Sequence, residues 1–175
     1  MEVRSLALTT ILSRDNQKEA LSLETAYDTH GAGLYRFALA LTRSEADAED
    51  AVQDVFLRIA QRPAALGEAR SPRAYLYFSV RNACFTIIKR RKHFQESDLD
   101  AGGGDKVSDG NHLLVRREML LLPIEQCEVI VLKVYDGMTF DEISAVLEIS
   151  KNTAASRYRY GIGRLRNALE ETDES

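Results

Sequence analysis

The chain has no tryptophan, only two cysteines and only three prolines in 175 residues. Cys84 and Cys127 stand alone, each inside an apolar helical pattern and without a CxxC pair, so neither a disulfide framework nor a thiolate metal site is expected. They read as buried thiols in a reducing compartment. Long hydrophobic runs are missing too: stretches such as 129–132 fall far short of the ~20 apolar residues that a membrane span needs. The first twenty residues carry Arg4, Arg14, Asp15 and Lys18 with no uninterrupted apolar stretch, so no secretory leader is expected and a cytoplasmic location is. His30, His93 and His112 are scattered without a ligand partner at useful spacing. No Ser–His–Asp set or glycine-rich phosphate loop is visible, so neither an enzyme nor a cofactor or metal is expected. Period-two alternation and hairpin turns are also lacking, which leaves an all-α fold.

What is present is charge, sorted along the chain. The net charge is −4. Residues 44–54 hold Glu45, Asp47, Glu49, Asp50 and Asp54 and no Lys or Arg, whereas 79–93 hold Arg81, Lys89, Arg90, Arg91 and Lys92 and no acid. The stretch 94–110 and the tail (Glu170, Glu171, Asp173, Glu174) are acidic again. Such sorting gives surfaces of both signs on one molecule, suited to two kinds of partner.

Helix punctuation organises the chain. Apolar residues from Leu23 to Leu41 predict a helix over 20–42 with a possible break at Gly31 and Gly33. Ser44 can cap a second helix over 45–61, with Val52, Val55, Phe56 and Ile59 inward, and Pro63 closes it. Ser71 followed by Pro72 opens a helix over about 72–92. Residues 94–112, with three consecutive glycines and few large apolar side chains, read as a flexible linker. Helices over 113–122 and 123–136 follow, the latter ended by Gly137 at a left-handed cap. The expected order is an N-terminal extension (1–22), a helical domain (23–93), the linker (94–112) and a second helical domain with an acidic tail (113–175).

The second domain carries the sharpest signal. Thr139 and Glu142 fit a capping box, Ile143, Val146 and Leu147 form an apolar stripe, and Ser150 can cap a new helix at Lys151. From there to Arg166 run Lys151, Arg157, Arg159, Arg164 and Arg166 without an acid, while Ala145, Ala154 and Ala155 are small enough for two helices to meet closely. A short helix, a tight turn and a longer basic helix make a helix-turn-helix, whose second helix enters the DNA major groove. In the first domain, Tyr75, Tyr77, Phe78 and Phe85 lie beside Arg81, Asn82, Lys89 and Arg90. Rings beside cations suit single-stranded nucleic acid, although Phe78 and Phe85 fit a helical core better.

Taken in order, these parts resemble one family. Residues 24–59 (ETAYDTHGAGLYRFALALTRSEADAEDAVQDVFLRI) are similar to the first block of bacterial extracytoplasmic-function sigma factors. YLYFSVRNACFTIIKRRK (75–92) resembles the family's promoter-melting helix, and 121–169 its C-terminal helix-turn-helix domain. The resemblance implies a subunit that binds core RNA polymerase and directs it to promoter DNA, with an anti-sigma protein as a further partner. It also implies roles: Asp50, Gln53, Asp54, Leu57 and Arg58 on the polymerase; Tyr75, Tyr77, Arg81, Asn82, Lys89 and Arg90 on the opened −10 element; Lys151, Asn152, Thr153, Ser156, Arg157 and Arg159 at the −35 element. Tyr75 stands where the family usually has tryptophan, Thr86 where it often has an acid or amide, and Glu148 where its turn often has glycine. The alternatives are a stand-alone DNA-binding regulator and a sigma mimic that sequesters an anti-sigma protein. The acidic linker and tail are further expected to mask the cationic surfaces of the free protein.

Overall fold

The computed structural model describes residues 22–95 and 110–173, and all regular structure among them is helical. Residues 1–21, most of the expected linker and the end of the acidic tail lie outside the described residues, and with them the masking expectation.

The first domain is built on three long helices. Helix α1, Leu23–Thr42, starts on Ser22, whose Oγ accepts the Thr25 N–H at 3.1 Å. It runs unbroken through Gly31 and Gly33, where a break was expected. The reason is tertiary: a Cβ on Gly33 would fall on the Tyr77 hydroxyl and lie 2.7 Å from Asp136 Oδ1, so the glycine makes room for neighbours instead of interrupting the helix. Helix α2, Glu45–Gln61, starts on the expected Ser44 cap, which accepts the Asp47 N–H at 3.3 Å. A short helix α3, Ala64–Glu68, follows Pro63 and is pinned by the buried Leu66, which the stop signal did not foretell. Helix α4, Pro72–Gln95, begins where Ser71 accepts the Ala74 N–H and runs three residues past its expected end. Leu34, Phe37 and Ala38 of α1, Val55 and Ile59 of α2, and Leu76, Val80 and Cys84 of α4 close the core. The Phe37 and Tyr77 rings sit with centroids 5.6 Å apart inside it.

The second domain holds α5, Gly110–Leu121; α6, Ile124–Ile130; a π-helical turn, Val131–Tyr135; α7, Phe140–Leu147; and α8, Lys151–Asp173. The helix expected over 123–136 therefore changes type midway. The Asp136 N–H reaches back five residues to the Val131 carbonyl at 3.3 Å, and Gly137 ends the segment at φ 64°. Among the small residues, Ala154 is buried and Ala155 half-buried as expected, but Ala145 is exposed. The close approach falls on Gly161 of α8 instead, where a Cβ would lie 2.7 Å from Ile130 Cδ1 and 3.2 Å from Gln126 Cβ.

The domains pack against each other. Helix α6 and the π-turn lie on α1, and α7 lies on α4. Polar ties cross the seam: Arg43 Nη2 donates to the Leu122 carbonyl at 3.3 Å, and Cys127 Sγ lies 3.8 Å from the Ala40 carbonyl oxygen.

Candidate nucleic-acid and polymerase interfaces

The helix-turn-helix is assembled by local hydrogen bonds. Thr139 accepts the Glu142 N–H at 3.2 Å while Glu142 accepts the Thr139 N–H at 2.7 Å, closing the capping box. Those same bonds, from the Thr139 N–H and hydroxyl, hold the Glu142 carboxyl below its usual range. Helix α7 ends at Glu148, which adopts the left-handed conformation (φ 54°, ψ 42°) that the glycine common at this turn would take without strain. Ser150 then accepts the Thr153 N–H at 3.0 Å and opens α8.

Helix α8 has two sides. Ala154, Gly161 and Leu165 face the domain core. Lys151, Asn152, Thr153 and Arg159 are exposed, with Ser156 half-buried beside them. Lys151 Nζ meets Asp141 Oδ2 at 2.7 Å, tying the entering end of α8 to α7. Arg157 departs from the expected group: it is half-buried and close enough to Glu128 of α6 to favour that residue's ionised form. Tyr160, missing from the expected set, is 71% exposed. It lies four residues beyond Ser156 and seven beyond Thr153, so helical periodicity alone could have found it.

Helix α2 presents the acidic face. Ala48, Ala51, Val52, Val55, Phe56 and Ile59 are buried, which leaves Asp50, Gln53, Asp54, Leu57 and Arg58 outward. Leu57 is 62% exposed, a large apolar side chain inside a polar surface. Arg58 Nη2 pairs with Asp54 Oδ2 at 2.8 Å along the helix.

Helix α4 divides the residues expected at the −10 element. Asn82, Lys89 and Arg90 are exposed and Tyr75 is half-buried. Tyr77, in contrast, is 2% exposed, its hydroxyl bonded to the Asp136 carboxylate of the second domain, and burial with that carboxylate raises its pKa. It is a core ring here, as the packing of α1 against α4 requires. Arg81 is engaged as well: its Nε lies 2.6 Å from Oε1 and its Nη2 3.3 Å from Oε2 of Glu128, a carboxylate with no exposed surface. Its guanidinium also sits 4.8 Å over the Phe85 ring. Burial pushes the Glu128 carboxyl up, and Arg81 and then Arg157 pull it back down. The seam holds a second buried acid, Asp136, whose side chain is 4% exposed and meets Arg36 Nη2 at 3.4 Å. Arg73 donates to the Asp136 backbone carbonyl and pairs with Glu142 at 3.7 Å.

Both cysteines are free and buried, and burial pushes the thiols up, to about 12 at Cys84 and about 11 at Cys127. No grouping of His, Cys, Asp or Glu among the described residues could hold a metal ion, and none of the described helices is long and apolar enough to cross a membrane.

Comparison with known proteins follows the same division. The Sigma-70 region 2 family pattern matches residues 26–94, and the Sigma-70 region 4 pattern matches 112–165. The chain is 33% identical over 165 residues to the ECF RNA polymerase sigma factor SigL of Mycobacterium tuberculosis, covering 87% of this chain and 92% of that protein. It is 28% identical to the RNA polymerase sigma-E factor of Streptomyces avermitilis, covering 89% of each. Among solved structures, the sigma factor RpoE of Bartonella quintana, in complex with the anti-sigma factor NepR, superposes with a TM-score of 0.73 at 20% identity, over 84% of this chain and 96% of that one. CnrH, in complex with the cytosolic domain of CnrY, superposes with a TM-score of 0.59 at 21% identity, over 94% and 96%.

Proposed function

Because the chain belongs to the extracytoplasmic-function family of RNA polymerase sigma factors, we propose that its two domains divide the work of a sigma subunit among three surfaces. The α2 face of Asp50, Gln53, Asp54, Leu57 and Arg58 docks on core polymerase, with Leu57 the apolar centre of a polar patch. Helix α4, with Tyr75, Arg81, Asn82, Lys89 and Arg90, engages the opened −10 strand. The outward side of α8 reads the −35 duplex through Lys151, Asn152, Thr153 and Ser156, joined by Tyr160, while Arg159 meets phosphate. Residues 23–93 serve the polymerase and −10 contacts in this reading, and 113–175 the −35 contacts. The complex of the structural neighbour RpoE with the anti-sigma factor NepR favours an anti-sigma protein as a further partner. A subunit of the transcription machinery works in the cytoplasm.

The observation that carries this reading is the outward face of α8, exposed at the entering end of a capped helix-turn-helix and free of acids from Lys151 to Arg166. A simple repressor would have no use for the second surface on α2. Asp50→Lys with Asp54→Lys should therefore weaken core-polymerase binding by about 2 kcal/mol or more, the range of interface hot spots, with the helical spectrum unchanged. Native affinity for core enzyme in that variant, measured by co-purification and by transcription from a supercoiled template, would remove the α2 docking assignment.

A further inference from the structure

Three cations of the first domain are occupied by two acids of the second. Arg81 makes a two-pronged contact with Glu128, Arg36 meets the Asp136 carboxylate, and Arg73 holds the Asp136 carbonyl. Glu128 is fully buried, and the Asp136 side chain nearly so. Glu128 and Arg81 lie 47 residues apart in sequence, so their contact exists only while the domains are docked. A guanidinium offers the same planar fork to a carboxylate and to a phosphate, and binds both in pairs of parallel hydrogen bonds. Salt bridges sealed from water also resist screening, unlike exposed ones.

We propose that Glu128 is a built-in substitute for promoter phosphate: it occupies Arg81 in the free chain, and docking of α6 and the π-turn on the first domain keeps α4 from the −10 strand until the domains part. This rests on the reading of α4 as the −10 surface and adds its control. Arg81 has two alternating ligands, the Glu128 carboxylate when the molecule is closed and a strand phosphate when it is open. The Tyr77 hydroxyl meets Asp136 in the same step, while its ring belongs to the first-domain core. The device uses described residues of both folded domains and needs neither the linker nor the tail.

Cys127 supplies a native reporter. It is 2% exposed, and its Sγ lies on the seam, 3.8 Å from the Ala40 carbonyl oxygen of the first domain. In a full-length Cys84→Ala background, alkylation of Cys127 measures opening. Glu128→Gln should speed it about tenfold, the factor set by loss of one charge-assisted hydrogen bond. Glu128→Arg should speed it further, and Arg81→Glu with Glu128→Arg should return it to the slow rate, which also shows that the domains still fold. A fluorescent single-stranded DNA oligonucleotide of mixed sequence should bind Glu128→Gln about tenfold tighter than its parent at low salt, with the gain fading as salt rises. Unchanged alkylation in Glu128→Gln and Glu128→Arg would overturn the closure. Faster alkylation without tighter DNA binding would overturn the phosphate-substitute role. Core-polymerase binding by the unsubstituted chain is scored separately, so loss of the three-surface reading and loss of this device show in different columns.

Discussion

Glu148 carries a full side chain in a backbone conformation that favours glycine. Its N–H bonds to the Ser144 carbonyl, so the turn keeps its hydrogen bond and only the Cβ is strained. Glu148→Gly should raise the unfolding free energy by up to about 1 kcal/mol, read from denaturant midpoints at constant slope. A lower midpoint would mean that the Glu148 side chain contributes something that the geometry does not show. At the other end of α7, Thr139→Ala should cost about 1 kcal/mol by opening the capping box. The pH dependence follows from the same bonds. Folding lowers the Glu142 pKa below 4.5, so its contribution is complete above that pH and is lost as the pH falls through the lower folded value. Denaturant midpoints of native protein and Glu142→Gln should therefore converge in acid. A gap that stays constant below pH 4.5 would refute the account.

Helix α8 shows how one element serves packing and recognition on opposite sides. Gly161 and Gly163 are two residues apart, yet a Cβ on the first meets Ile130 and Gln126 while one on the second meets nothing within 4 Å. Gly163→Ala should stabilise the helix by about 0.5–1 kcal/mol. Gly161→Ala should lose that gain to overpacking, which typically costs about 1–3 kcal/mol. Equal thermal shifts for the two would place α8 farther from α6 than this packing has it. On the outward side, Tyr160→Ala should change base preference within the −35 element, whereas Arg164→Ala should weaken all sequences alike. The expected cost at a read base pair is about 1–3 kcal/mol, measured across a promoter library. Identical profiles for the two variants would withdraw Tyr160 from the reading face.

At the scale of the whole molecule, what the sequence reveals depends on range. The caps at Ser44, Ser71, Thr139 and Ser150 are legible because each hydroxyl serves an N–H three residues on. The outward set on α2 is legible because burial of Val52, Val55, Phe56 and Ile59 fixes the opposite face. The continuity of α1 through Gly33 is not, since the atoms that need that glycine belong to Tyr77 and Asp136, far along the chain. Nor is the burial of Tyr77 and Glu128: a tyrosine beside cations and a lone glutamate look like surface residues until α1 packs on the tyrosine ring and the docked domains enclose the glutamate. Propensity and spacing describe each domain separately, and the seam is where they stop.

The π-helical turn at Val131–Tyr135 gives that seam a dependence on chain length. One residue more than an α-turn is looped into it, and Asp136 follows directly. Excising a single residue there would let the segment relax into ordinary α-helix with Asp136 still facing the first domain, because the turn spends one residue more than an α-turn on the same rotation. Winding the same residues as ordinary α-helix without that excision would instead swing Asp136 by roughly 100° around the helix axis, one residue's share of a turn. Arg36, Arg73 and the Tyr77 hydroxyl would then face a different side chain, although none of them had changed. A change that winds these five positions as α-helix at constant length thus acts as a mutation of the opposite domain.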